Sequence, residues 1–348
     1  MVISEVDRGA AALSGRSLAR GVPRLGDLPP GTATGVGSLP HRSAGEAVRF
    51  ALQEYDVPAI PSLPRRSPAE SMIAQAVVGI NGVTAGQYGS LAVDARSVDP
   101  CAPVLTDLSG DGFRSLRSFL HRAASSGFEG PVKWQFVGPV TLGVALTRAG
   151  LRDELAFAVA ARAVRSHVSA VSAAVASALP QSPQIIVIDE PWMGGLMDPG
   201  FPIAPDPAID MLSSAMASVS GVATVGVHCC GRADLASLIA AGPDLVSIPA
   251  HPSLSSVSGY VASFLADGGR IAWGVVPTDG PMFLSVERSW RALRQLWDAM
   301  VERGVDPELL RDRSLVTPHC GLGMHTPTVA ERVCETSRAV GRRIADWG

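Results

Sequence analysis

From residue 33 onward, short apolar runs alternate with longer stretches in which apolar side chains recur every three or four positions. Eight of the short runs read as strands: 33–39, 59–63, 132–137, 184–188, 223–229, 245–248, 270–276 and 315–319. Several, such as Gln184-Ile185-Ile186-Val187-Ile188, show almost no alternation between apolar and polar side chains. That is the pattern of parallel strands covered on both faces.

The stretches between them carry helix-start signals. Ser43-Ala44-Gly45-Glu46 and Ser67-Pro68-Ala69-Glu70 both have the form of a capping box, the second with proline at the first helical position. Asp206-Pro207 and Asp306-Pro307 offer the same cap-then-proline start, residues 151–179 predict a long alanine-rich helix, and Thr326-Pro327 opens a last helix to about residue 345. Repeated strand–helix alternation of this kind predicts an α/β protein, a single (β/α)8 TIM-type barrel, with an insertion between strands 2 and 3 over about seventy residues. The expected organisation is a flexible N-terminal arm over 1–30, ending in Pro29-Pro30-Gly31, and a barrel catalytic domain over 31–348. A doubly wound sheet would carry a G-x-G-x-x-G loop after its first strand, and Gly35-Val36-Gly37-Ser38-Leu39-Pro40 starts that pattern and breaks it.

Composition narrows the function classes. With 348 residues, 47% of them hydrophobic, the chain can bury a large core. A net charge of −3 gives no basic field for nucleic acid, and no apolar run is long enough to span a bilayer. A cytoplasmic protein is expected, with neither nucleic-acid nor membrane partners. Five cysteines without a secretion signal suggest buried thiols, metal ligands or nucleophiles rather than a disulfide framework. Lys133 is the only lysine, which argues against lysine Schiff-base or phosphate-loop chemistry.

In a barrel the chemistry belongs at the C-terminal ends of the strands. Gly37-Ser38, Gly138-Pro139, Asp189-Glu190, His228-Cys229-Cys230, His251 and His319-Cys320 all fall there. On an extended chain His228 and Cys230 point to one side and Cys229 to the other. Cys320, from the last strand, would add a second sulfur. Two thiolates and an imidazole select Zn2+ over harder cations, and three protein ligands leave a position open for substrate. The competing reading is plain burial, since cysteines are among the most commonly buried residues. Asp189 and Glu190, as adjacent strand residues, face opposite ways, so at most one looks into the mouth and the other caps a neighbouring loop or pairs with an arginine. The backbone near Gly37 and Ser38 could receive a carboxylate, or form a simple tight turn.

Val36-Gly37-Ser38-Leu39-Pro40, Gly138-Pro139-Val140-Thr141, Ile188-Asp189-Glu190-Pro191, His228-x-Cys230 and Pro318-His319-Cys320-Gly321-Leu322, in this order, resemble the C-terminal catalytic domain of cobalamin-independent methionine synthase, including its short "core" versions. The resemblance implies a zinc-dependent methyltransferase that passes a methyl group to a thiol, homocysteine giving methionine. It implies His228, Cys230 and Cys320 as zinc ligands, Asp189 at the substrate amino group, and Ser38 at its carboxylate, with Gly37 and Glu190 beside them. Two departures stand out. A glutamate ligand usual in the family is replaced by Ile248-Pro249, for which His251 is a candidate substitute, and a Gly-Glu-Pro segment by Ser62-Leu63-Pro64. The N-terminal barrel that helps the full-length enzymes bind folate has no counterpart, so a methyl-corrinoid on a partner protein is the expected donor. Two alternatives remain open: a zinc alkyltransferase acting on another small thiol of the coenzyme M kind, and a non-catalytic barrel that binds a small ligand or metal.

Overall fold

The computed structural model describes residues 28–86, 89–279 and 284–347. The expected arm lies outside the described residues up to residue 27. Leu28 to Pro30 lead directly into β1, Thr32–Ala33, where Gly31 N donates to Ser314 O at 2.8 Å. The first helix, α1 (Ala44–Glu54), is capped by the Ser43 hydroxyl as the sequence suggested.

The second expected box forms differently. Ser67 caps only a single 3-10 turn, Pro68–Glu70, through Ala69 N, before the short α2 (Met72–Ala76). Glu70 does not reach back to its cap. It is fully buried and accepts from Leu63 N at 2.6 Å and from Ser115 N and Oγ at 3.1 and 2.8 Å, with Arg66 as counter-ion. Glu70 thus ties together two stretches forty-five residues apart. The segment expected as an insertion also holds an antiparallel hairpin, β2 (Val83–Ala85) with β3 (Leu91–Val93), and α3 (Arg114–Ser125).

The remaining strands are β4 (Val132–Val137), β5 (Gln184–Asp189), β6 (Thr224–His228), β7 (Leu245–Pro249), β8 (Arg270–Val276) and β9 (Ser314–Pro318). Together with β1 they form one parallel seven-stranded sheet in the order β1-β9-β8-β7-β6-β5-β4. No named strand lies between β1 and β4. The extended segment 57–62, where a strand is expected over 59–63, meets residues 34 and 38 on one side and β4 on the other through three isolated parallel bridges, Thr34–Val57, Ser38–Ser62 and Ala59–Lys133.

Helices α4 (Pro139–Arg148), α5 (Asp153–Ala178), α6 (Pro205–Ala217), α7 (Leu235–Ala240), α8 (Ser258–Ala266), α9 (Val286–Val301), α10 (Pro307–Asp312) and α11 (Pro327–Ala345) separate or follow the strands. Helix α6 starts two residues before the expected Asp206-Pro207, because Pro205 takes the first helical position and Ala204 the cap. Among the described residues, no helix is long and apolar enough to cross a membrane.

The lack of alternation in the strands follows from burial on both faces. Ile186 and Ile188 of β5 join the large cluster between sheet and helices, whereas Ile185 and Val187 pack with Val57, Leu245, Ala272 and Leu315 on the other face. Asp189 and His228 sit on that second face, at the end of the strands. The small apolar cluster is their floor.

Candidate metal and substrate site

Strand register brings the site together. Val137, Asp189, His228 and Ser247 are consecutive partners across β4, β5, β6 and β7, so their side chains emerge in one row on the same face. His228 Nδ1 lies 2.9 Å from Ser247 Oγ. Its Nε2 is buried and has no hydrogen-bond partner. A ring nitrogen fixed on one side and unpaired on the other is the state in which histidine ligates a metal.

Cys230 and Cys320 supply the sulfurs. The ligand atoms of His228, Cys230 and Cys320 all lie within 4.8 Å of one another. The two thiols lie side by side, and their mutual interaction holds Cys230 below the ordinary thiol range, while the same interaction and burial push Cys320 up. Cys229 faces the other way. It is fully buried in the large cluster, its thiol directed at Pro191 O at 3.8 Å, and burial pushes its pKa up to about 11.

Asp189 is buried, with Oδ1 unpartnered. Burial raises its pKa, and the fields of His228 and Lys133 oppose the rise. Lys133 is buried too; its ammonium donates to Val36 O and to Gln135 Oε1 at 3.3 Å, and burial lowers its pKa to about 8 against the pull of Asp189. Gln135 in turn fills the space over Gly37, where a Cβ would fall 1.7 Å from Gln135 Nε2; at φ +145° the turn also excludes other residues. Two polar residues of β4 therefore hold the Val36-Gly37-Ser38 turn at the rim.

Two of the expected site residues stand elsewhere. Glu190 turns away from the mouth: its oxygens accept from Val140 N (2.8 Å), Thr141 N (2.7 Å) and Thr141 Oγ1 (2.6 Å), closing the N-terminus of α4. Gly138 leaves it room, since a Cβ there would lie 2.1 Å from Glu190 Oε1. Burial raises the Glu190 pKa to about 7. It is a helix cap rather than a substrate contact. His251 is the second correction. It is exposed, and its Nδ1 caps the 3-10 turn Pro252–Val257 through Ser253 N (3.2 Å) and Oγ (2.8 Å), apart from the His228–Cys230–Cys320 group.

His228, Cys230, Cys320, Asp189 and Ser38 line one cavity of about 370 Å³, a size within the range of small-molecule sites.

No family model and no curated protein matches the chain by sequence. Solved structures do match by shape. A B12-independent methionine synthase from Shewanella sp. W3-18-1, in complex with selenomethionine, superposes with a TM-score of 0.61 at 16% identity, over 91% of this chain and 98% of that one. The chain has the fold of these enzymes. A putative vitamin-B12 independent methionine synthase from Listeria monocytogenes superposes at a TM-score of 0.52 and 15% identity, over 92% and 99% of the two chains. The methionine-synthase fold thus extends over nearly all of the described residues, at identities low enough that the likeness concerns shape alone.

Sequence reasoning missed Lys133, Gln135, Ser247 and Ser71. The first three carry a shared signal: each is a polar residue inside an otherwise apolar buried strand. Such a residue needs a partner, and each has one at the site.

Proposed function

We propose that the chain is an eight-stranded (β/α)8 barrel closed by segment 57–62, and that it is a zinc-dependent methyltransferase acting on the thiol of homocysteine. The observation that carries this reading is the set of unpaired buried atoms. His228 Nε2 faces two cysteine sulfurs, and Asp189 Oδ1 stands in the next strand of the same row.

The residues present fit Zn2+: one imidazole and two sulfurs form a borderline-soft donor set with room for a fourth ligand. Held by these three residues, Zn2+ would lower the pKa of a bound thiol and so would supply a thiolate at neutral pH. The chain's own residues do the rest. Ser247 fixes the His228 ring with Nε2 toward the sulfurs. Asp189 accepts the substrate ammonium group, which replaces the partner its Oδ1 lacks. The Gly37-Ser38 turn, braced by Gln135 and Lys133, receives the carboxylate at the opposite wall. Together these contacts orient the sulfur toward the remaining cavity. Five free cysteines are in keeping with a reducing, cytoplasmic setting.

The Shewanella neighbour was solved with selenomethionine, a selenium analogue of the proposed product, which supports a homocysteine-sized acceptor. The corrinoid donor and carrier protein expected from the sequence find no such support, since both neighbours are described as independent of B12. A second acceptor class, a small thiol without an amino group, is favoured by one observation. Glu70, the buried carboxylate nearest Ser62-Leu63-Pro64 in the sequence, is committed to Leu63, Ser115 and Arg66, leaving Asp189 alone to hold an ammonium.

Calorimetric titration of the zinc-loaded protein separates these readings. Homocysteine should bind one to one with proton release, and Asp189→Asn should weaken it about 10- to 100-fold, the cost of losing a charged hydrogen bond, with zinc content unchanged. Equal affinity for thiols lacking an amino group would move the assignment to the second class. Protein that takes up no zinc would sink both.

A further inference from the structure

Four consecutive residues of β4, Trp134, Gln135, Phe136 and Val137, line the cavity. Successive strand side chains point to opposite faces, so a cavity confined to the inner face would touch only Gln135 and Val137. This one passes the edge of β4 and continues into the layer between strands and helices, where Phe113, Leu116 and Val171 wall it.

The pairing pattern explains the opening. On this edge Lys133 N donates to Pro58 O at 2.9 Å and Ile60 N to Lys133 O at 2.8 Å. The alternation of a parallel ladder would next tie Gln135 to Ile60 and Ser62. Instead Ser62 N turns to Gly37 O at 3.4 Å, and among the described residues the last bridge to β4 is Ala59–Lys133. Beyond it the two segments part, and a side chamber occupies the gap.

Its walls are chemically uniform. Ile60, Met72, Phe113, Leu116, Phe136 and Val171 supply apolar surface, and no lysine or arginine lines any part of the cavity. Glu70 touches it, but its oxygens are already bonded to Leu63, Ser115 and Arg66. Gln75 lines it as well, its Nε2 donating to Gly112 O at 2.6 Å, and Ser71 adds a buried hydroxyl. Ser71 Oγ is buried without a hydrogen-bond partner and does not cap the helix it precedes.

We infer that this side chamber is a second subsite, which takes an uncharged, mainly apolar group carrying one hydrogen-bonding atom for Ser71 Oγ. The inference rests on the function proposed above only in that the reacting thiol sits at the His228–Cys230–Cys320 end. The group has two possible sources, the body of a methyl donor that presents its methyl toward the sulfur, or an apolar substituent of the thiol itself. A charged group is unsuited to the chamber, whose walls offer it no lysine or arginine as counter-ion.

Benzyl alcohol, an aromatic ring with a single hydroxyl, is the probe, titrated into the full chain with and without zinc. Saturable one-site binding is expected, about fivefold weaker in Ser71→Ala, which removes one hydrogen bond. Leu116→Asn, which makes the wall polar, and Met72→Trp, which fills the space from its half-exposed rim, should each weaken it at least about tenfold. Absence of saturable binding, or equal affinity in all three variants, overturns the inference. Repeating the titration with homocysteine bound distinguishes the sources: unchanged affinity assigns the chamber to a separate donor, competition to the thiol's own substituent. Zinc content and homocysteine binding, measured on the same samples, test the proposed function independently, since benzyl alcohol requires neither.

Discussion

From β4 round to β9 each strand is joined to the next by a parallel ladder, and the register runs through the candidate metal site: Asp189 beside His228, His228 beside Ser247. Between β1 and β4 the connection is three isolated bridges over segment 57–62, backed by the hairpin, short turns and α3 of the 64–131 stretch. The ladder side brings His228 Nδ1 to 2.9 Å from Ser247 Oγ, because β6 is held in register by strands on both sides. The bridged side gives up that regularity and gains volume, since an unpaired strand edge is where a cavity can reach past the sheet. The regular side carries the candidate metal ligand His228, and the bridged side opens the cavity.

The comparison breaks most severely at the cysteines. Cys230→Ser or Cys320→Ser should each abolish stoichiometric zinc binding and activity, while Cys229→Ser, in the adjacent but outward-facing position, should keep both. Elemental analysis of the three purified proteins checks it, and zinc retained in both of the first two would remove the metal from the trio. Next in size is Ser247→Ala, which leaves His228 its ligating nitrogen but not its orientation. Zinc affinity should fall about 10- to 100-fold, as for other second partners of metal histidines, read by competition with a chromogenic chelator. An affinity equal to wild type would mean the ring is held by packing alone.

A third test, read in stability rather than in metal binding, belongs to the bridged side. His167 of α5 is fully buried, with Thr106 Oγ1 at 2.8 Å and Ala76 O at 3.1 Å, and so pins the 64–131 stretch to the helix layer. Burial, opposed by the bond to Ala76, lowers its pKa to about 4 from 6.5. A histidine whose folded pKa is lowered contributes stability present above 6.5 and lost as the pH falls from there toward 4, because the unfolded chain binds the proton more readily. Thermal denaturation should therefore show stability falling by up to about 3 kcal/mol across that window, at 1.36 kcal/mol per pKa unit. His167→Gln should flatten this pH dependence. A slope unchanged in the variant would assign it to other groups.

The ladder side was the legible side. Gln184–Asp189 and Arg270–Val276 read as strands from unbroken apolar runs, and His228 and Cys230 could be put on one face by counting residues. Asp189 and Glu190 could be divided into one that faces the mouth and one that caps a neighbour, which is how the structure uses them. What counting could not supply was any contact made across strands: Ser247 behind His228, Lys133 behind the Gly37 turn. The bridged side was read less well for a physical reason. Residues 59–63 have strand-like composition, yet two prolines, Pro58 and Pro61, offer no N–H to a ladder, and only isolated bridges result. The capping-box pattern at Ser67 to Glu70 was overridden by a tertiary demand for the Glu70 carboxylate.

The single lysine has a use unconnected with any reaction. Lys133 is 3% exposed, so in the folded chain an amine-reactive reagent meets no accessible lysine side chain. Every label on that side chain then records a molecule that has opened as far as β4. One internal amine makes the chain its own clock for global unfolding, counted by mass without a mutation or a fluorophore.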